Sequence, residues 1–338
     1  MDKQIRWETK IMTKHSDLQV SPSRRPIREC VGLIVNGINA AAAIKTIAAA
    51  ETAGVQQIWM AQTPWSPDVL TTLAAAAIKT SIVRLGTSIV PTYPRHPVVL
   101  AQQVLALHDI APGRLRLGIG PSHRAIVEDI LGLPQTTPLV HLREYVKLLH
   151  SIFMDGKVDH HGEFFNVVVE FPRTARIPVL ISTLGKKAFQ LAGEIADGAL
   201  SWMCPVPYLL HTGIPVLRKA ATANGRSNPP PLVAHVPVAI SQDRDSVMAA
   251  GHKMFEMYSK LPFYVKMFTD AGFPLTSDKK VTDEFVNNMI ISGNEDTVAT
   301  SLTKLLNAVG LDELMVSLVP VVDEKYEQTQ LMRLIGQL

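Results

Sequence analysis

From Cys30 onward the chain alternates short, apolar, β-prone runs with longer helical patterns, and this alternation limits its fold more than any other feature. Parallel strands need long crossovers, and helices usually supply them, so the order argues for a parallel sheet covered by helices. Eight runs qualify as strands. They are Cys30 to Val35 (CVGLIV), Gln57 to Ala61 (QIWMA), Val83 to Val90 (VRLGTSIV), Arg114 to Ile119 (RLRLGI), Val179 to Ser182, Ala199 to Trp202, Val233 to Ile240, and Glu313 to Val319 (ELMVSLV). Continuous apolar runs such as the first suit strands buried on both faces.

The helical segments carry their own signals. Ala40 to Thr52 is Ala-rich and stops at Gly54; Asp68 can cap a helix to Lys79; Pro97 sits in the first turn of a helix from His96 to Ile110. A short helix is expected from Ser122 to Leu131. Leu139, Leu142, Val146, Leu149 and Phe153 recur at spacings of three and four, one apolar helical face. Further helices are expected over Asn294 to Val309 and Tyr326 to Leu334. Gly162, between β-prone residues, marks a hairpin over Val158 to Val169, and Asp243 to Phe285 reads as a long helical stretch. The fold expected is α/β, a (β/α)8 TIM-type barrel with insertions before strand five and before strand eight. A doubly wound open sheet is the alternative. Gly118 and Gly120 offer it only part of a dinucleotide fingerprint, because His123 stands at the third glycine position.

Composition excludes several classes. With 47% hydrophobic and 19% charged residues the chain has material for one large core and is not disordered as a whole. A net charge of +3, without a long run of like charges, leaves no footprint for nucleic acid. Only Cys30 and Cys204 occur, far apart, so neither a disulfide framework nor a zinc site is expected and the compartment is reducing. No apolar stretch reaches 18 residues and the N-terminus lacks a signal core, so a soluble, cytoplasmic protein is expected. Residues 1–28 are polar, mix charges and contain Pro22 and Pro26; they read as a disordered extension, with a partner-wrapping arm as the alternative, ahead of one domain, residues 29–338.

The words Leu85 to Pro97 (LGTSIVPTYPRHP) and Pro112 to His123 (PGRLRLGIGPSH) closely resemble the luciferase-like monooxygenase superfamily, and within it the actinobacterial F420-dependent oxidoreductases. Leu142 to Tyr145 (LREY), Val158 to Phe165 (VDHHGEFF) and Leu191 to Gly198 (LAGEIADG) follow in consistent order. The resemblance implies a TIM-type barrel, a flavin or deazaflavin, and redox chemistry on an organic substrate. It also implies a homodimer through helices beside strands two and three. Two departures matter. Gln62 and Thr63 stand where an Asp-His pair is often found, which puts a sugar-phosphate dehydrogenase mechanism in doubt. Pro121 stands where luciferases place an arginine on the FMN phosphate, which favours F420 over FMN.

A bound ring carries the hydride itself, so the protein must place it, hold its phosphate and exclude water. Active sites of such barrels lie at the C-terminal ends of the strands. The resemblance puts a bulge with a non-prolyl cis peptide at Ser88 and Ile89, pressing on the ring, and Gln62, in the place of the Asp-His pair, is a further cofactor-binding candidate. Ser182, Thr183, Leu184, Gly185 and Lys186 form a turn into a helix, whose amides and lysine make an anion site; Lys187 adds attraction at longer range. The alternative there is a plain helix start with two solvated lysines. Ser122 and His123 follow strand four, and His123 either moves a proton or only positions ligands. Trp59, Trp65 and Trp202 are candidate walls, Trp202 above all, with core packing the competing role. Arg95 is a candidate for an acidic cofactor tail, and His96 for a helix anchor. Tyr258, Phe263, Tyr264, Met267 and Phe268 mark an apolar insertion suited to a lid or to dimer packing. The function expected is F420-dependent hydride transfer to or from a small organic substrate. An FMN-dependent monooxygenase and a non-catalytic flavin-binding barrel are the alternatives. No metal is expected.

Overall fold

The computed structural model describes residues 25–307 and 311–338. Eight parallel strands form its centre: β1 (Val31–Ile34), β2 (Gln57–Met60), β3 (Arg84–Thr87), β4 (Leu115–Gly120), β5 (Val179–Thr183), β6 (Gly198–Ser201), β7 (Leu232–Ala239) and β8 (Glu313–Leu318). Each pairs with the next, and β8 returns to β1 with Leu314 opposite Val31, so the sheet closes. The protein is a (β/α)8 barrel, and the open-sheet alternative falls.

Helices follow each strand: Ala40–Thr52, Val69–Lys79, Pro97–Ile110, Pro138–Asp155, Lys186–Ile195, Ile214–Ala223, Glu295–Asn307 and Glu324–Gln337. Their starts are written in the sequence. Asn39, Asp68 and Asp323 each accept an amide of the first turn, where helix N–H groups have no helical partner. The insertion before β5 is the hairpin Lys157–His161 with Asn166–Glu170. The carboxylate of Glu144 holds its turn by accepting the amides of Phe164 and Phe165 and pairing with His160. The two sequence words LREY and VDHHGEFF are thus one contact.

Inside the barrel, Ile34, Trp59, Leu180, Leu200, Val233 and Met315 pack together. Trp59 occupies so much of this space that only glycine fits on either side of it. A Cβ at Gly32 would lie 2.6 Å from the indole Nε1, and one at Gly86 2.3 Å from Cε3. The N-terminal end is closed by polar groups. Glu313, 2% exposed, pairs with Arg116 and with Arg25 at 3.0 Å, and accepts a hydrogen bond from Gln57 at 3.1 Å. Arg116 also lies over the Trp59 ring, 4.9 Å from its centroid.

Several expected elements are corrected. The third strand is not continuous to Val90: it breaks after Thr87 and resumes as Val90–Pro91. The helix expected from Ser122 is a π-helical turn, Ala125–Ile130, because Ser122 takes a left-handed φ of 63° and ends any helix there. The stretch from Asp243 to Phe285 is helical as expected, but in pieces. It divides into Arg244–Phe255, Tyr258–Lys260, Pro262–Asp270 and Asp283–Met289, interrupted before Pro262 and at Gly272, whose φ is 90°. The extension expected over residues 1–28 lies outside the described residues up to 24. Its last part belongs to the fold, since Arg25 pairs with Glu313 and Ile27–Cys30 is a short helix leading into β1. The end of the helix expected to reach Val309 also lies outside the described residues.

Candidate active site

The break in β3 builds one side of the barrel mouth. Thr87 turns its hydroxyl into the sheet, donating to the carbonyl of Gly118 at 2.7 Å and accepting its amide at 2.8 Å. A side chain thereby replaces the backbone ladder and frees the next residues to bulge. Gly118 is required opposite, because a Cβ there would sit 2.0 Å from the Thr87 carbonyl oxygen. In the bulge the Ser88–Ile89 peptide is cis, as the resemblance implies. The amide of Ser88 donates to Met60, and the carbonyl of Ile89 accepts the amide of Gln62 at 3.1 Å. The Ser88 hydroxyl oxygen is buried and has no protein partner.

Side chains alternate along a strand. Ser182, Trp202, His235 and Ser317 lie two residues beyond Leu180, Leu200, Val233 and Met315 of the inner cluster, so they face inward at the C-terminal end. Ile89 and Trp202 cap this cluster and stay partly open. Gly120, at the end of β4, leaves room for its neighbours: a Cβ would be 2.2 Å from Ser182 Oγ and 3.3 Å from Ile89 Cδ1. Trp202 stacks on His235 with ring centroids 4.0 Å apart and planes 8° from parallel, and its indole N–H donates to the Tyr258 hydroxyl at 2.8 Å. His235 accepts the Met203 amide on Nδ1, so its Nε2–H donates to Ser317 at 2.9 Å. Burial lowers its pKa to about 3, which fixes it as a neutral scaffold.

After β4, the carboxamide of Gln135 donates to the carbonyl of Pro121 at 2.9 Å and holds the turn that presents Ser122 and His123. His123 is half-buried, and burial lowers its pKa, which favours the neutral imidazole at neutral pH. Its ring meets Tyr264 of the insertion at 5.5 Å, and Tyr264 meets Tyr258 edge-on at 4.9 Å. His123, Tyr264, Tyr258, Trp202 and His235 therefore form a continuous arc of rings across the mouth.

The β5 turn is split in role. Thr183 is buried and spends its hydroxyl on the carbonyl of Leu200, and the carbonyl of Leu184 accepts from Tyr208. Ser182 and Gly185 remain open, the space at Gly185 being empty to 4 Å. Lys186 and Lys187 are exposed at the start of their helix and make no ion pair among the described residues.

Other candidates fall elsewhere. Trp59 is a core residue, 1% exposed, and does not wall the mouth, while Trp65, in the loop after β2, is 70% exposed. The Gln62 side chain caps the next helix by accepting the Val69 amide at 2.8 Å, leaving its backbone to support the bulge. Arg95 is tied to Asp68, and His96 caps its helix as a structural residue. In the insertion Tyr264, Met267 and Phe268 are buried while Phe263 is 62% exposed. His235, Gln135 and Thr87 had no signal of their own in the sequence, although Thr87 lies within one of the matching words. Among the described residues no group of His, Cys, Asp or Glu could hold a metal ion, and no helix is long and apolar enough to cross a membrane.

A closed parallel barrel with a bulged third strand and an open apolar mouth defines a class, and the comparisons give its family. The chain belongs to the luciferase-like monooxygenase family, whose profile matches residues 15–313. Over 283 residues it is 27% identical to the F420-dependent glucose-6-phosphate dehydrogenase of Kineococcus radiotolerans, covering 77% of this chain and 82% of that one. An F420-dependent secondary alcohol dehydrogenase, solved with an F420–acetone adduct, superposes with a TM-score of 0.75 at 18% identity, covering 90% of this chain and 97% of its own. The oxygenating constituent of 3,6-diketocamphane monooxygenase from Pseudomonas putida, solved with FMN, gives 0.71 at 18% identity over 94% and 98%. The two structural likenesses carry the fold.

Proposed function

We propose that this protein is an F420-dependent oxidoreductase that moves a hydride between the deazaflavin C5 and a carbon centre of a small organic molecule. The observation that carries the reading is the mouth itself: Ile89 and Trp202 form a partly open apolar floor beside the buried, unpartnered hydroxyl of Ser88. A planar ring with polar edges fits such a place, because it covers apolar surface, and a rotation of the buried Ser88 side chain toward it would give the hydroxyl the partner it lacks. The phosphate falls to the open turn at Gly185, where helix amides, Lys186 and Lys187 offer positive charge, with Ser182 nearby. F420-dependent relatives by sequence, and Pro121 in place of an arginine, support F420 over FMN.

When bound, the deazaflavin supplies the hydride donor or acceptor. The protein's own groups do the rest. Ile89 and Trp202 support the ring, the arc of rings keeps water out, and neutral His123 takes the proton released as a substrate is oxidised or returns it on reduction. The test is to titrate purified protein separately with F420 and FMN. Tighter binding of F420 is expected; tight FMN binding with no F420 binding would overturn the reading, since the anion site suits either phosphate.

The assembly proposed is a homodimer through the helix Val69–Lys79, where Ile78 is 70% exposed and neighbouring Ile82 is 63% exposed. Light scattering at micromolar concentration should give twice the chain mass, and a monomer would count against it. A cytoplasmic enzyme that binds no nucleic acid completes the proposal.

A further inference from the structure

We propose that Tyr264, brought in by the insertion before β8, joins His123 in holding the oxygen of an uncharged, largely apolar alcohol or ketone substrate. The inference rests on the functional reading above and adds the substrate class and a second polar group.

Three observations converge. Tyr264 is 3% exposed and its hydroxyl makes no hydrogen bond among the described residues, yet the oxygen is not one of the fully enclosed unpartnered atoms, so it reaches open space where a substrate oxygen can meet it. It lies against His123, and through Tyr258 it connects to Trp202 at the end of β6. The group thus stands over the strand ends where the hydride must be exchanged. Finally, each cation on the elements that carry these rings already has a carboxylate beside it. Arg124 pairs with Glu128 at 3.8 Å, Lys260 with Glu256 at 2.8 Å and Lys266 with Asp270 at 2.9 Å. Lys186 and Lys187 belong to the cofactor phosphate in the reading above. A sugar phosphate would bring its charge to a wall of aromatic carbon, whereas an apolar alcohol would bury its carbons there.

In the oxidising direction the carbinol carbon gives its hydride to the bound cofactor, the hydroxyl proton passes to the His123 imidazole, and the C–O bond becomes C=O. Reduction reverses both transfers. Tyr264 keeps its proton throughout and donates a hydrogen bond to the substrate oxygen; burial raises its pKa far enough for that.

The experiment compares wild type with Tyr264→Phe, which keeps the ring and its contact with His123 and removes only the oxygen. Cyclohexanol and 2-propanol serve as uncharged probes with F420-loaded protein, and glucose 6-phosphate as the charged one. Turnover of the alcohols is expected, with kcat/KM lower by about 10- to 100-fold in Tyr264→Phe and an unchanged F420 dissociation constant. A variant within twofold of wild type would overturn the role of Tyr264. Turnover of glucose 6-phosphate, or of no probe by protein that does bind F420, would overturn the substrate class. Failure to bind F420 appears in the same titration and strikes the cofactor reading. Direct binding of cyclohexanol, followed by the His123 imidazole resonances in both proteins, then decides the Tyr264 claim: a shift present in wild type and weakened in the variant supports it, and identical titrations overturn it.

Discussion

The two ends of this barrel are built on opposite principles. At the N-terminal floor, buried charge is matched: Glu313 has Arg116, Arg25 and Gln57, and Arg116 has the Gln57 carbonyl oxygen at 3.0 Å as well. At the C-terminal mouth, polar groups are left over: the Ser88 hydroxyl, the Tyr264 phenol and the open turn at Gly185. Buried polar atoms cost free energy until they are paired, so the charges of the floor are satisfied by the chain alone, whereas on the proposed reading the groups at the mouth wait for a ligand. Substitutions at the floor should therefore move stability, and those at the mouth should move binding and rate.

Arg116→Leu tests the floor and should have the largest effect. It leaves Glu313 buried with the Gln57 amide and one cation, Arg25, which is itself 41% exposed, and breaking a buried pair from one side costs about 3 to 5 kcal/mol. The denaturation midpoint should fall accordingly, while F420 affinity of the folded fraction stays the same. A stable variant with weakened cofactor binding would erase the contrast between the two ends.

His123→Ala tests the mouth. Loss of a general acid or base lowers turnover by about 100-fold or more, equivalent to about 3 kcal/mol at the transition state, with cofactor affinity and denaturation midpoint largely spared. Because burial lowers the His123 pKa, oxidation should fade only as pH drops below the ordinary histidine range. Single-turnover rates across pH, for both proteins, check this. Equal rates would leave His123 as a positioning residue.

The mouth also contains one finished element, His235, and it carries an acid sensitivity. In the unfolded chain a histidine titrates near 6.5; in the fold His235 titrates at about 3. Between these values only the unfolded chain binds the proton, so the contribution is complete above pH 6.5 and is lost as pH falls toward 3. The expected loss is about 1.4 kcal/mol per pH unit below 6.5 from this residue. Denaturation midpoints at pH 7.5 and 5.5 should separate less in His235→Asn than in wild type.

What the sequence made legible follows the same division. The eight strands and their helices were readable because strand runs, caps and the apolar face from Leu139 to Phe153 are local signals. The Ser88–Ile89 bulge was readable only through a matching word, whereas the Gly185 turn was readable as a glycine between strand and helix followed by two lysines. Local pattern could not show that Thr87 interrupts β3, because a hydroxyl standing in for a ladder bond leaves the apolar run intact. Nor could it show that Arg116 meets Glu313 across 197 positions, or that His235 is locked beneath Trp202. Trp59 misled for a physical reason: the two glycines that make room for it lie on other strands. Contacts between distant segments decide which of several plausible residues reach the mouth.

The smallest expected effect is the sharpest test of the contrast, and it concerns one oxygen atom. Ser88 Oγ is buried without a protein partner, so Ser88→Ala removes an unsatisfied group and almost no volume. An unmet buried hydroxyl costs about 1 to 3 kcal/mol, and the surrounding bulge is held by backbone bonds from Met60 and Gln62 that the substitution leaves alone. The free variant should accordingly be as stable as wild type or more stable by about 1 kcal/mol. With cofactor bound the sign should reverse, because the wild-type hydroxyl then gains the hydrogen bond it lacked. The measurement is a thermal midpoint with and without saturating F420: the ligand-induced increase should be smaller in Ser88→Ala. A variant destabilised in the free state, with an undiminished response to F420, would show that Ser88 finishes the fold as Glu313 does and that the mouth is not built to wait for a ligand at this atom.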